Sequence, residues 1–292
     1  MRGSEITGDS FRLGYRFQRH WDVSMASAFF CGELGAGLYI VAMVFQSLPG
    51  LILGLLITGL GKSIFHLTHM GVPKKSWRAI LRPDRSWVSR GLIAIVVFCG
   101  AGGLYTIDLA MGRLLPQKVS VLLALLACLS GFVVMIYQGM AMANSAAIAL
   151  WNTAMMPVAG LLYGLTSGVI ITLIMQSHRL APEAARYLII LGIAALISDL
   201  LMIVSTLHAA FHCSPGGQVS VELLTRSQYA RWFYGVTIGI GIILPLIALC
   251  IGGASLLSYL IAAGGALAGF YSFRILVFKA GVYEPILRFQ VA

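Results

Sequence analysis

Polar side chains inside two apolar stretches of the sequence have the types and the spacing that proton exchange requires. In the second stretch Lys62, His66 and His69 follow one another at intervals of four and three residues, which places them on one face of a helix. In the sixth stretch His208 lies on a polar face with Asp199 beside it. Because ionisable groups are costly in an apolar phase, such residues mark a functional site by default.

Five of the six histidines gather near one end of the predicted helices. His20 lies just before the first apolar stretch, and the fourth stretch brings Tyr137 to a similar depth. A quinone suits such a set, because each quinone carbonyl accepts a hydrogen bond and reduction to quinol takes up two protons. A histidine can supply a proton near neutral pH, and a tyrosine hydroxyl can hold the head group. We therefore predict a quinone site with Tyr137 and with His20 or His66.

Two other interpretations of the histidines stay open. Each histidine could be a hydrogen-bonded residue of the bundle or an anchor at the membrane interface. Alternatively, a haem between the second and sixth stretches could take one axial histidine from each helix, as in a cytochrome b-type anchor. No histidine lies in the far halves of these stretches, so at most one haem would fit.

Further ionisable residues lie at staggered depth and could relay protons between a quinone site and the far side. The predicted relay consists of Glu33, Lys62, His69, Asp108, Asp199, His208 and Arg274. Equally, Lys62 and Arg274 could neutralise acids in static buried pairs, and we favour this second interpretation slightly.

The stretches that carry these residues are long enough to cross a membrane as helices. The chain has 292 residues, of which 59% are hydrophobic and 10% charged, and this composition excludes a soluble protein. Spans are predicted at about 23–48, 51–70, 90–112, 119–142, 155–177, 186–210, 232–252 and 255–278. The first is too long for a signal peptide and is predicted to remain as a span. The predicted fold is an all-α integral membrane protein with eight transmembrane helices in two four-helix bundles, between a polar segment 1–22 and a tail 279–292.

Charge distinguishes the two ends of the predicted helices. An even number of spans places both termini on one side, here called the N-face, and the opposite side is the far face. Most lysines and arginines outside the spans lie on the N-face, so the net charge of +10 indicates anionic lipid or an acidic partner rather than nucleic acid. The amphipathic 71–90 segment is predicted to lie at the interface and to present five basic residues: Lys74, Lys75, Arg78, Arg82 and Arg85.

Short motifs in succession along the chain are also informative. They are His66-Leu67 with Gly71, Pro73, Trp77-Arg78, Pro83, Ser86-Trp87 and Ser89-Arg90-Gly91; Gly32-Glu33-Leu34-Gly35-Ala36-Gly37; Tyr137-Gln138-Gly139 leading to Leu150-Trp151-Asn152-Thr153; and Phe273-Arg274 through Gly281-Val282-Tyr283. Together they resemble the NrfD-type family of membrane subunits, which includes the polysulfide reductase anchor and has the dimethyl sulfoxide reductase anchor as a relative. The resemblance covers nearly the whole chain.

The resemblance implies a quinone-reactive anchor of a respiratory oxidoreductase in the bacterial cytoplasmic membrane. It implies menaquinone or ubiquinone as the exchangeable cofactor, with no haem in this chain. The implied partners are a four-cluster ferredoxin-like iron–sulfur subunit and a molybdopterin-type catalytic subunit. Tyr137 would be the quinone-site tyrosine, and the polar residues at the start of the first helix would fall near His20 and Asp22.

Three further points follow from the sequence. The five cysteines have no CxxC motif and no ligand spacing, so we predict no iron–sulfur cluster and no metal site in this chain. The N-face is cytoplasmic by the positive-inside rule but periplasmic by the resemblance, so its side stays open. A secondary transporter is the remaining alternative, although the sequence shows neither clear internal repeats nor broken helices near mid-membrane.

Overall fold

The computed structural model describes residues 15–284 and contains eight helices that are long and apolar enough to cross a membrane. Spans 1 to 8 are Val23–Val44, Leu48–His69, Trp87–Ala110, Gln117–Ala143, Met155–Met175, Pro182–Cys213, Ala230–Ile251 and Leu256–Lys279. The predicted all-α membrane fold and the number of spans are confirmed. Residues 1–14 of the predicted polar segment and residues 285–292 of the predicted tail lie outside the described residues.

Short polar residues set where several spans begin. The Asp22 side chain accepts a hydrogen bond from the Met25 amide at the start of span 1. Ser86 does the same for Ser89 at the start of span 3. Such caps satisfy amides that have no partner inside the helix, and each contributes about 1 kcal/mol.

Two spans depart from regular α-helix. Span 2 contains a π-helical segment at Ile57–Lys62, and span 7 contains one at Phe233–Ile243. The segment in span 2 ends at Lys62, and Ser63–His69 is regular α-helix, so Lys62, His66 and His69 keep the spacing expected from the sequence. Thr58 and Lys62 are buried, whereas His66 is half-buried. π-Helical turns are rare and often occur at functional sites.

Span 1 occupies the centre of the molecule. It is 72% buried, more than any other span, and it packs against spans 2, 4, 5 and 8. The glycines of its 32–37 motif explain this position: a Cβ at Gly35 would meet Thr58 and Gly54 of span 2, and a Cβ at Gly37 would overlap the Gly164 backbone of span 5. Small residues let helix backbones approach closely where lipid provides no hydrophobic drive.

The buried apolar residues form two clusters. One joins spans 1 to 4 around Tyr39, Leu51 and Phe98. The other joins spans 5 to 8, the start of span 1 and the 143–154 loop around Trp151 and Phe273. Spans 1 and 4 also pack against span 5, so the division into two four-helix bundles stays a prediction.

The described ends of the chain meet on the N-face. Strand β1 (Arg16–Phe17) pairs antiparallel with strand β2 (Val282–Tyr283). The Glu284 amide donates to the Ala147 carbonyl at 2.8 Å, which joins this ribbon to the 143–154 loop. Between spans 2 and 3, the 3-10 helix Pro73–Leu81 covers the N-face end of both spans.

Candidate functional site

A cavity of about 370 Å³ lies beneath the 3-10 helix Pro73–Leu81. Spans 2, 3 and 4 and the 3-10 helix form its walls, which are mostly apolar. Five polar residues also line it: Lys62, Ser63, His66, Ser76 and Tyr137. Leu67 and Val96 line the cavity and are also 43% and 64% exposed on the outer surface, so the cavity opens laterally between spans 2 and 3, toward lipid.

Lys62 is buried at the base of this cavity. Its Nζ donates to the Gln138 Oε1 and, at 3.2 Å, to the Ala28 carbonyl. The same Nζ lies 5.0 Å from the centroid of the Tyr137 ring, a distance at which a cation is attracted to an aromatic face. Among residues 15–284, the ion pairs do not include Lys62. Lys62 is therefore held by dipoles and a ring, and not by a static carboxylate partner.

Two neighbours make this placement of Lys62 possible. A Cβ at Gly32 would lie 2.9 Å from the Lys62 Nζ, so a glycine in span 1 leaves room for the ammonium group. Gln138 is itself fully buried, and its Nε2 donates to the Phe29 carbonyl at 3.2 Å. The amide of Gln138 thus presents its oxygen to Lys62 because its nitrogen is already occupied.

Tyr137 and His66 form the polar walls above Lys62. The Tyr137 ring lies against the backbone of span 3 at Gly91, where any Cβ would overlap the ring. The His66 Nδ1 is buried and has no hydrogen-bond partner in the part of the chain that the structure describes. Buried polar atoms in native proteins are usually paired with protein, water or a ligand. His66 thus lines the cavity and carries a ring nitrogen that no described residue binds.

Replacing Gly91 with alanine should displace the Tyr137 ring and destabilise the protein by about 1–3 kcal/mol, the usual cost of overpacking a buried site. Gly100→Ala is the matched control on the same span, because a Cβ there meets nothing within 4 Å. Thermal unfolding of the two purified variants compares them. Equal melting temperatures for Gly91→Ala and the unmodified protein would contradict the packing described here.

The structure places the four residues predicted to bind quinone at three different positions. Tyr137 and His66 line the same cavity. His20 instead lines a second N-face cavity of about 350 Å³, together with Trp21 and Trp151. Asp22 is the N-cap of span 1, and its Oδ1 lies 3.2 Å from the His69 Nδ1.

The Asp22–His69 contact joins the N-face ends of spans 1 and 2. Burial alone would raise the pKa of Asp22, but the hydrogen bond from the Met25 amide and the neighbouring His69 hold that pKa below its ordinary value. The Asp22 side chain is 58% exposed, so its contact with His69 lies at the surface of the protein. Asp22 thus caps span 1 and contacts His69 at the end of span 2, and the predicted roles of both residues stay predictions.

Glu33 and Arg274 form a fully buried ion pair between spans 1 and 8. The Arg274 Nε donates to Glu33 Oε2 at 3.0 Å, and Nη2 donates to Oε1 at 2.7 Å. A guanidinium and a carboxylate bound by two parallel hydrogen bonds are geometrically specific and strong. This arrangement corresponds to the static pair that the sequence left as an alternative for Arg274.

The remaining predicted relay residues lie apart from the cavity. Asp108 is at the far-face end of span 3, where its Oδ1 accepts from the Leu115 amide at 2.8 Å. Asp199 is buried in span 6 and accepts from the Thr166 hydroxyl at 2.7 Å. His208 is exposed on span 6, with its ring centroid 4.5 Å from that of His212. In the described part of the chain, these residues do not form one hydrogen-bonded chain with the cavity. The relay therefore stays a prediction.

The placement of the histidines also bears on the haem alternative. His66 borders the cavity between spans 2, 3 and 4. His208 and His212 are exposed on span 6, which packs against spans 5 and 7 and the short helix Pro215–Thr225. Spans 2 and 6 therefore do not present a facing pair of histidines, as a shared haem would require.

The five basic residues predicted for docking are all exposed on the N-face: Lys74, Lys75, Arg78, Arg82 and Arg85. Lys74, Lys75 and Arg78 lie in the 3-10 helix, where Trp77 is 60% exposed and lies 5.7 Å from the Arg78 guanidinium. The cavity thus lies directly beneath a basic surface with an exposed aromatic ring.

Two polar residues of span 5 were not singled out from the sequence. Tyr163 is buried against Arg274, whose guanidinium lies 5.4 Å from its ring centroid, and Thr166 binds Asp199. Their spacing of three residues places both on one helical face, which is the signal that could have identified them.

The fold and the cavity define an eight-span integral membrane protein with a mostly apolar cavity that contains several polar side chains and lies under a basic face. A sequence profile of the DMSO reductase anchor subunit family (DmsC) matches residues 37–216. The chain belongs to this family. The match includes Lys62, His66, Tyr137 and the whole basic segment. None of the curated proteins matches the chain.

Proposed function

We propose that this chain is the quinone-reactive membrane anchor of an oxidoreductase complex. It would pass electrons between the membrane quinone pool and an iron–sulfur subunit, which in turn serves a molybdopterin-type catalytic subunit. The observation that carries the proposal is the lateral cavity in which Lys62, His66 and Tyr137 meet beneath an exposed basic surface. Membership of the DMSO reductase anchor subunit family supports the anchor role.

The cavity matches the chemistry of a quinone head group. Its volume of about 370 Å³ falls within the range of small-molecule sites. Leu92, Ile95 and Val96 of span 3 provide an apolar wall for a flat ring and its hydrocarbon tail. Against this wall the ammonium of Lys62, the ring nitrogen of His66 and the hydroxyl of Tyr137 can donate hydrogen bonds to the two oxygens of a quinone, which accept them.

Each of these three residues would have its own role in quinol oxidation. Oxidation of one quinol to quinone releases two protons and two electrons. His66 has an unused ring nitrogen that can take a proton from the substrate hydroxyl. Lys62, held by Gln138 and Ala28, stabilises negative charge that develops on the substrate oxygen as the proton leaves. Tyr137 would orient the head group. His66 would take the second proton after the first has left it, and both electrons would pass to an iron–sulfur centre of the partner subunit.

The basic segment supports docking of an acidic partner surface over the cavity. Its five exposed cations stand on the N-face end of spans 2 and 3, directly above the cavity. Complementary charge accelerates encounter and selects orientation more than it adds affinity. A partner bound here would place its nearest redox centre on the same side as the quinone head group.

The test is Tyr137→Phe in the assembled complex, with quinol-analogue oxidation as the readout. Loss of the hydroxyl should lower kcat/KM by about 10–100-fold, because a donor to the substrate is removed while the ring stays in place. Tyr187→Phe is the matched control, since Tyr187 is 73% exposed on span 6. Unchanged quinol oxidation in Tyr137→Phe, with a normal subunit ratio, would rule out Tyr137 as a head-group ligand.

A further inference from the structure

The far face carries a second large cavity, which has no part in the proposed quinone chemistry. Its volume is about 530 Å³, and it lies between the loop after span 1, the end of span 3 and the start of span 4. Its polar lining consists of Gln46, Tyr105, Arg113, Gln117 and Ser120, and its apolar lining of Leu115, Val121 and Ala124.

Arg113 is fixed in this cavity by groups from three directions. Its Nη1 donates to the Ser120 hydroxyl at 2.8 Å, and its Nη2 donates to the Tyr105 hydroxyl at 3.2 Å. Its Nη1 also lies 3.8 Å from the Asp108 Oδ2, whose side chain is fully buried. The Arg113 side chain remains 35% exposed. A guanidinium has five N–H donors, so an oriented cation with donors to spare faces the cavity.

The backbone turns after spans 1 and 3 place two residues of this cavity. Within residues 15–284, the non-glycine residues with positive φ are Gln46 at 48° and Arg113 at 67°. Both line this cavity. Both residues belong to the turn that ends a span: the Ser47 amide donates to the Ala42 carbonyl after span 1, and the Arg113 amide donates to the Asp108 carbonyl after span 3. A left-handed residue commonly ends a helix in this way, and these turns hold the backbone of Gln46 and Arg113 in the cavity wall.

We propose that this cavity binds the phosphate head group of an anionic phospholipid. The cavity lies at the ends of spans 3 and 4, which is the depth at which head groups lie in a bilayer. Arg113 would bind the phosphate oxygens, because a guanidinium matches phosphate with paired charge-assisted hydrogen bonds. Gln46, Gln117 and the exposed Lys118 supply further donors around it.

The adjoining surface suits the acyl chains of the same lipid. Val121, Leu122 and Leu125 are 51%, 55% and 55% exposed on span 4, directly below the polar lining. Val121 is also part of the cavity wall, so the polar and apolar surfaces are continuous. A free phosphate ion would use the first surface only, whereas a phospholipid would use both.

The experiment measures lipid binding to the full chain in the neutral detergent dodecyl maltoside, by native mass spectrometry and thermal unfolding. The probes are phosphatidylglycerol, phosphatidylcholine and inorganic phosphate. We expect phosphatidylglycerol to bind more tightly than phosphatidylcholine, and Arg113→Gln to weaken its binding about tenfold, as for loss of one charged hydrogen-bond donor. Arg179→Gln, an exposed far-face arginine, should leave binding unchanged.

A second variant keeps the proposal testable if Arg113→Gln does not fold. Gln117→Glu places a negative charge on the exposed cavity wall without removing any contact of Arg113, and it should also weaken phosphatidylglycerol binding. Equal binding of the two lipids would overturn the proposal. So would equal stabilisation by inorganic phosphate, or phosphatidylglycerol binding that both variants leave unchanged. A short-chain quinone that displaces phosphatidylglycerol from this site would show instead that the cavity is a quinone site.

Discussion

Replacing Lys62 with methionine should lower quinol oxidation by about 10²–10³-fold, while the complex should still assemble. The size follows from removing a charge-stabilising donor from a water-poor site, where such a donor is worth far more than in water. Methionine is unbranched and only one atom shorter than lysine, so most of the packing against Gly32 is preserved. The measurement is steady-state oxidation of a quinol analogue by membranes that contain equal amounts of complex.

The control for this variant is Lys279→Met, the same change at an exposed lysine at the end of span 8. It removes one positive charge from the N-face without touching the cavity. Quinol oxidation should then match that of the unmodified complex. If Lys62→Met also retains full activity, the ammonium group has only a structural role, and the proposed division of work in the cavity is wrong.

The second large effect concerns the buried Glu33–Arg274 pair. Replacing Glu33 alone with methionine should destabilise the protein by about 3–5 kcal/mol, because it leaves a buried guanidinium without its counter-charge. Replacing both residues with methionine should restore much of the loss, since two apolar side chains need no partner in this interior. Thermal unfolding of the four proteins of this double-mutant cycle measures the coupling between the two residues.

The same variants distinguish a static Glu33–Arg274 ion pair from a proton relay through Glu33. Asp84→Asn, at an ion pair in which both side chains are mostly exposed, should change the melting temperature little. If the pair is static, the double methionine variant keeps quinol oxidation and proton release once it is folded. Loss of proton release in a variant with restored stability would place Glu33 in a relay and contradict the static interpretation.

Several features were predictable from local sequence because they depend on local physics. A run of about 20 apolar residues crosses a bilayer as helix whatever surrounds it. Successive spans alternate in direction, so spans 2 and 4 both run toward the N-face. This placed Tyr137 and His66 on the same side of the membrane. The succession of short motifs indicated the anchor class, and the family match over residues 37–216 agrees with it.

Other features depended on which way each helix is rotated, and sequence spacing does not specify this rotation. The spacing of His208 and Asp199 suggested one inward-facing polar group, yet His208 is exposed and Asp199 is buried. In span 2 the π-helical segment Ile57–Lys62 changes how the residues before it are rotated relative to His66 and His69, which lie in regular α-helix. Local spacing defines a face, but only packing against neighbours decides where that face points.

The sequence by itself determined that this chain is an eight-span membrane protein with its imidazoles, its Tyr137 phenol and most of its positive charge at one end. The tertiary structure alone decided the partners: Lys62 with Gln138, Arg274 with Glu33 from 241 residues away, and His20 outside the cavity of Tyr137. The physical reason is that the length of a span and the charge of a loop depend only on residues that are adjacent in the sequence. The partner of a buried polar group depends instead on how close two helices approach, and here glycines of span 1 set that distance.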